Sequence, residues 1–481
     1  MEMKKAIEQI LNDKFGFPTF RPGQREAVEA ILSGQDSLVM LPTGTGKSLC
    51  YQLPAYLKEG TTLIISPLLS LMQDQVENLK LQGEKNVVAI NSLTPYSERN
   101  RIFKNLSKYR FVYTSPEMLQ NDEILQQFKK ITINHFIVDE AHCISHWGTD
   151  FRPDYLVLAD VRRELGSPPT MALTATATER VRNEIIEFLG LDRISTKQII
   201  QSVDRPEIKY IVEHCEGDKF EKILYYIQQI KGPGVVYFTS KKLADETAEK
   251  LRLHHQIRAE SYHSDIEADD KMKIQQQFLE NEFQVVCATS AFGMGFNKKD
   301  IRFVIHYHMP ASPEMYLQEV GRASRDGLKS VAVLLYEKGD EYIQNNFIQE
   351  SLPSKDDLLW VQKNQSKALY DKDSIIKLAY YFSESYSDLN EAMDKINERK
   401  QIKYQQLYYM LQYVHTRLCK RHYLLEYFEE SIEKKPEVCC LNCGFSLEKL
   451  MESLNSLQTL NYEEVSTLMS WEKQFKQLYN I

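Results

Sequence analysis

The 481-residue chain has no run of eighteen apolar residues, which excludes a membrane-crossing helix of ordinary length. Nor does its start supply an apolar signal core, since Met1-Glu2-Met3-Lys4-Lys5 leads into an amphipathic stretch. A cytoplasmic protein with no membrane partner is expected. Net positive charge is missing too. A formal charge of −8 excludes a bulk electrostatic hold on phosphates, so any nucleic-acid site has to be a local groove. No low-complexity linker appears, and no self-similar segment recurs at the roughly 20-to-50-residue period of repeat proteins. Cysteine is sparse: Cys50, Cys143, Cys215 and Cys287 stand singly and offer no disulfide framework, while Cys419, Cys439, Cys440 and Cys443 gather late. In a reducing compartment such a group points to metal before disulfide.

What is present is length enough for two or three cores, with 43% hydrophobic residues to fill them. Up to about residue 200, short apolar runs such as Thr62-Leu63-Ile64-Ile65, Phe111-Val112-Tyr113 and Phe136-Ile137-Val138 alternate with helix-length segments, the pattern of a parallel sheet with crossover helices. A second series follows, with strand candidates at Gly234-Val235-Val236-Tyr237-Phe238, Val285-Val286-Cys287-Ala288 and Phe303-Val304-Ile305-His306. The fold class expected is α/β, two tandem parallel-sheet domains over residues 1–203 and 204–345. A helical, zinc-binding-like region is expected over 346–446 and an amphipathic tail over 447–481. In that tail Leu447, Leu450, Leu454 and Leu457 form one helical stripe, which most simply docks on the protein itself.

After the apolar run Ser37-Leu38-Val39-Met40 comes Thr43-Gly44-Thr45-Gly46-Lys47-Ser48, then Leu49-Cys50-Tyr51-Gln52, a strand–loop–helix setting. Glycines let backbone N–H groups close around phosphate, and the helix start adds a favourable dipole. Lys47 is expected to meet the β- and γ-phosphates of ATP and Ser48 to ligate Mg²⁺; Leu41 stands where the general pattern has its first glycine. The run His135 to Val138 ends in Asp139-Glu140-Ala141-His142. Asp139 is expected to hold Mg²⁺ through its hydration shell and Glu140 to orient and deprotonate the attacking water, with His142 counted in the same catalytic set. Far downstream, Gln318-Glu319-Val320-Gly321-Arg322-Ala323-Ser324-Arg325 carries two arginines on one helical face, beside Gln318 as a nucleotide contact. If a second domain closes on the first, Arg322 and Arg325 can reach the γ-phosphate, with Arg325 as the arginine finger.

These segments, in this order and spacing, resemble the superfamily 2 helicases, and others resemble the RecQ-family DNA helicases in particular. Phe15-Gly16-Phe17 and Phe20-Arg21-Pro22-Gly23-Gln24 are similar to that family's adenine-reading segment, in which Gln24 would pair with the base and Phe17 and Arg21 would stack on it. Ser145-His146-Trp147-Gly148-Thr149-Asp150-Phe151-Arg152-Pro153 is similar to its aromatic-rich loop. Trp147 and Phe151 would offer faces to unpaired bases and Arg152 charge. Segments containing Ser66, Thr114 and Thr289 match ones that contact DNA backbone or couple the domains. The resemblance runs from about residue 10 to about residue 445. It implies an ATP-dependent 3′–5′ DNA helicase of repair, recombination or replication restart, nucleoid-associated and monomeric. Single-stranded or forked DNA would be its substrate, and single-stranded-DNA-binding or recombination proteins its partners.

Departures mark where the chain differs. Thr149 replaces the aromatic-rich loop's usual second histidine, His146 a common glutamine, and Ser324 a glycine of the arginine motif. Cys419, Cys440 and Cys443 match three family zinc ligands while Ser446 takes the place of the fourth. Tetrahedral zinc then needs Cys439 or His422. Little length follows for the winged-helix and C-terminal modules of longer members, so a reduced motor with modest or partner-dependent unwinding is expected. Rival readings are an RNA-stimulated ATPase or helicase and a catalytically weak DNA-binding scaffold. Lys47, Asp139, Glu140, Arg322 and Arg325 together speak against the scaffold.

Overall fold

The computed structural model describes residues 2–455 except 146–151, 294, 295, 297, 369, 370, 372, 387, 433–435 and 445. Trp147 and Phe151, the departures at positions 146 and 149, and the tail beyond 455 lie outside the described residues. Two sheets organise the rest. The first has seven strands: β1 (Ser37–Met40), β2 (Thr61–Ile65), β3 (Val87–Ile90), β4 (Phe111–Thr114), β5 (Ile133–Val138), β6 (Thr170–Thr174) and β7 (Lys197–Ile200). Their order is β3-β4-β2-β5-β6-β1-β7. The second comprises β8 (Ile208–His214), β9 (Gly234–Tyr237), β10 (Ala259–Tyr262), β11 (Val285–Ala288), β12 (Phe303–His306) and β13 (Ser330–Tyr336), ordered β10-β11-β9-β12-β13-β8.

Every strand pairing in both sheets is parallel, as expected of strands that are continuous apolar runs covered by helices on both faces. β1, β2 and β6 are buried along their whole length. Because β1, β5 and β6 lie side by side, the loops that leave their C-terminal ends converge. Ligands bind at that end of an open parallel sheet.

From Asp340 onward the described elements are helical, including the 27-residue helix Leu389–His415. Leu358, Val361, Phe382 and Ile396 give this region an apolar cluster of its own. One piece was not expected of a helical appendage. Cys440 bridges to Tyr210 on β8 and the Tyr210 N–H donates to the Cys439 carbonyl at 3.3 Å, so the cysteine segment covers an exposed sheet edge. In the helix Leu447–Asn455, Leu450 and Met451 bury into the core of the second sheet, while Leu454 and Leu457 are outside the described side chains.

Candidate nucleotide and nucleic-acid site

A cleft of about 610 Å³ opens between the two sheets. Phe17, Arg21, Gln24, the loop Thr43 to Ser48, Asp139 and Glu140 line it from one side, and Gln318, Arg322 and Arg325 from the other. The loop follows β1 directly. Gly44 and Gly46 both take φ +85°, a left-handed conformation that side chains disfavour. With the chain turned this way, the N–H groups of Gly44, Gly46, Lys47 and Ser48 find no hydrogen-bond partner among the described residues. Unpaired backbone donors at a helix start form an anion cradle, which the triphosphate of ATP would fill.

Gln24 is buried at 3% exposure and its Nε2 donates to the carbonyls of Thr45 (2.8 Å) and Gly46 (3.1 Å). Its Oε1 accepts from the Arg21 N–H at 2.9 Å, and Arg21 Nη1 donates to the Gly44 carbonyl at 2.6 Å. The residues expected to read adenine therefore also brace the phosphate loop. A base that took Gln24's amide would have to displace those bonds. Phe17, 48% exposed at the rim, is free to cover a ring.

β5 delivers the two carboxylates. Asp139 N–H pairs with the Ile65 carbonyl at 2.9 Å, and Glu140 N–H caps Asp139 Oδ1 at 3.0 Å. Glu140 itself sits at φ +47°, a strained conformation that aims its carboxylate into the cleft. Burial, with Glu140's charge beside it, pushes Asp139 up to about 6 against the pull of Lys47. Burial also opposes charge on Glu140, but Lys47, His142 and Arg322 outweigh it and hold that carboxylate below its usual range. Held ionised by those cations, Glu140 is a carboxylate, the form that can accept a proton.

His142 is buried, its Nδ1 3.0 Å from Thr174 Oγ1 and 3.4 Å from Glu140 Oε2. Thr174 Oγ1 lies 3.1 Å from the Thr176 carbonyl as well, so His142 Nδ1 stands between Glu140 and the end of β6. The base candidate is thus linked to the Leu173–Ala177 segment at the end of β6.

Across the cleft, the helix Pro313–Val320 is seated by a buried pair, His306 Nε2 to Glu319 Oε2 at 2.8 Å. Arg322 is 4% exposed, and its Nε has no partner among the described residues. Arg325 Nη1 donates to the Phe296 carbonyl at 2.9 Å, and its stem lies on the phosphate loop: a Cβ added to Gly44 would come within 2.7 Å of Arg325 Cγ. Burial, then the charges of Arg322 and Arg205, push Arg325 down to about 9. A cluster of guanidiniums this crowded is one that a polyphosphate would relieve. Ser324 occupies φ +57°, where the family's glycine has no penalty; its hydroxyl bonds to Ser330 Oγ at 2.6 Å and offsets part of that cost.

Three of the residues expected to contact nucleic acid stand at strand ends with their side chains buried. Ser66, Thr114 and Thr289 are 1%, 0% and 8% exposed. The Thr114 hydroxyl donates to the Ile90 carbonyl at 3.0 Å and Thr289 Oγ1 accepts from the Ala291 N–H at 3.4 Å, so these two hydroxyls are engaged at strand ends. Ser70, Glu117 and Ser290 beside them are exposed. Arg152 Nη1 donates to the Pro67 carbonyl at 2.8 Å and its N–H to the Cys143 carbonyl at 2.8 Å, tying the end of the aromatic-rich segment to the Ser66-Pro67 turn.

The four late cysteines converge, with every pair of their sulfurs within 4.8 Å. Cys419 to Cys439 is 3.6 Å, Cys419 to Cys440 is 3.9 Å and Cys440 to Cys443 is 3.4 Å. Sulfurs around tetrahedral zinc are separated by roughly 3.8 Å, so the donor set fits that ion. Cys439 and Cys440 both reach Cys419 although they are neighbours in the chain. His422 is exposed and outside the cluster.

A two-sheet ATPase whose phosphate loop and arginine pair face each other across one cleft belongs to the helicase class, and comparison agrees: residues 21–185 match the DEAD/DEAH box helicase model, 218–327 the helicase conserved C-terminal domain and 375–445 the RecQ zinc-binding domain. The probable ATP-dependent DNA helicase RecS of Bacillus subtilis is 38% identical over 99% of this chain and 98% of its own length. The ATP-dependent DNA helicase RecQ of Pasteurella multocida is 40% identical over 70% of this chain, and the match spans about half of that relative, 53%. Among solved structures, the helicase Lhr of Mycobacterium smegmatis bound to single-stranded DNA and AMP-PNP shares the fold, with TM-score 0.58, 19% identity, and coverage of 83% of this chain and 56% of that one. The chain belongs to the RecQ family of ATP-dependent DNA helicases.

Proposed function

We propose that this protein couples ATP hydrolysis in the cleft to 3′–5′ movement on single-stranded DNA and to opening of forked DNA. The observation that carries the reading is the packing of Arg325 against Gly44, which makes the nucleotide site a joint property of the two sheets. Lys47 and the loop N–H groups bind the triphosphate, Arg322 and Arg325 stabilise charge developing on the γ-phosphoryl group, and Glu140, oriented through His142, takes the proton of the attacking water. Mg²⁺ held by Ser48 and Asp139 would neutralise phosphate charge. Hydrolysis detaches the γ-phosphoryl group as inorganic phosphate, whose release removes the anion that joins the halves, and each opening and closing shifts the exposed strand-end loops along DNA. The four thiols hold zinc as a structural ion, with Cys439 as the fourth ligand.

The names of the curated relatives favour DNA over RNA. The test compares steady-state ATPase activity with single-stranded DNA and with RNA of the same sequence, and unwinding of duplexes with 3′ or 5′ tails. Stimulation by DNA and activity on the 3′-tailed duplex are expected. Preference for RNA, or for the 5′ tail, overturns the reading.

A further inference from the structure

The linker between the sheets carries an arginine that no motif singled out. Arg205 lies between β7 and β8 with its side chain 14% exposed. Its Nη1 donates to the Thr43 carbonyl of the phosphate loop at 2.9 Å. Its Nη2 donates to the Ser324 carbonyl at 2.7 Å and the Ala323 carbonyl at 3.3 Å, in the turn that presents Arg325. One planar guanidinium thus bridges the two walls of the cleft through main-chain oxygens. Thr43 also lies against Gly321, whose added Cβ would be 3.3 Å from Thr43 Cβ. Any parting of the walls must stretch one set of Arg205's bonds.

Arg205 is itself held from behind. Arg421, 1% exposed, donates Nη1 to the Asp204 carboxylate and, at 3.0 Å, to the Arg205 carbonyl, and Nη2 to the Ile208 carbonyl. Its Nε points at Cys439 Sγ, 3.3 Å away. Glu430 accepts from the Val203 N–H at 3.1 Å and from the Ser202 hydroxyl. The cysteine lobe therefore grips residues 202–208 by main chain and side chain together, and does not merely sit beside them.

From this geometry we infer that Arg205 is a positioning residue for ATP turnover, seating the Arg325 turn against the phosphate loop, and that the cysteine lobe fixes its place through Arg421 and Asp204. Among the described residues, Arg205's hydrogen bonds go to carbonyl oxygens and Glu207, so its guanidinium is engaged without a phosphate. Its removal should slow the closed-state step and leave nucleotide binding to the loop. Lysine is no substitute, because a single ammonium cannot span the carbonyls that the fork spans.

The inference rests on the proposed ATPase reading, so the wild-type protein, assayed with saturating single-stranded DNA, is the first arm; if it does not turn over ATP, that reading fails and not this one. Arg205→Lys, Arg205→Ala and Asp204→Asn are then compared for kcat, KM for ATP, melting temperature and zinc content. Expected for Arg205→Lys is a fall in kcat of about 10-fold or more with KM within about 3-fold and melting unchanged. Arg205→Ala should match it. Asp204→Asn, which keeps an acceptor for Arg421 but removes its charge, should lower kcat by about 2- to 5-fold. A kcat within about 2-fold of wild type for Arg205→Lys overturns the assignment, as does a loss of kcat matched by a falling melting temperature. A wild-type kcat for Asp204→Asn removes the cysteine lobe from it.

Discussion

The nucleotide cleft and the cysteine lobe are both dense with polar groups, and they treat them in opposite ways. In the cleft, loop N–H groups and the buried Arg322 Nε have no partner among the described residues. In the lobe, Arg421 places all three guanidinium nitrogens on named acceptors, and Lys420 Nζ reaches the carbonyls of Tyr413, Val414 and Thr416 at 2.7, 2.9 and 3.0 Å. Buried polar groups without partners cost stability. A bound ligand can supply the missing partners. The cleft leaves its donors to a visitor, whereas Arg421 and Lys420 of the lobe are satisfied from within.

Lys47→Ala is the strongest way to break that contrast. It should reduce ATP turnover by at least about 10³-fold while leaving single-stranded DNA binding and melting temperature close to wild type, since the loop supports a ligand and not the core. Steady-state hydrolysis, a DNA-binding titration and calorimetry check it; a large drop in melting temperature would place the loop with the lobe. The converse prediction concerns Cys439→Ser. Metal content, measured by elemental analysis, should fall from about one zinc per chain to below about half, and melting should drop with it. His422→Ala should change neither. Smallest is Ser324→Ala, which loses the bond to Ser330 while keeping φ +57°. It should cost about 1 kcal/mol, read as a small downward shift in chemical denaturation, with kcat little altered.

The parts of the molecule that the sequence made legible are those whose meaning is local. The phosphate loop, the carboxylate pair after β5 and the arginine pair each carry their chemistry within a few residues, and the parallel sheets announced themselves as buried apolar runs. What stayed hidden depends on tertiary neighbours. Arg205 has no motif of its own; its role exists only because Thr43 and Ser324 meet there. The local bonds of the Thr114 and Thr289 hydroxyls to Ile90 and Ala291 are likewise set by the fold and not by a motif. Successive residues of an extended chain point to opposite faces, so the sequence does not show that Cys439 and Cys440 can serve one ion. Cys419, on the lobe's other element, lies where both neighbours can reach it, and the turn Leu441–Cys443 brings the last sulfur back.

Gly44 sets the clearance between two walls carried on different sheets. A single methyl group there would meet Arg325 Cγ at 2.7 Å, so the permitted size of a side chain in one domain is dictated by the other. The arginine can dock only because the loop leaves it a socket one carbon deep. Whatever lineage widens the arginine turn must leave that socket empty, and whatever fills the socket props the machine open.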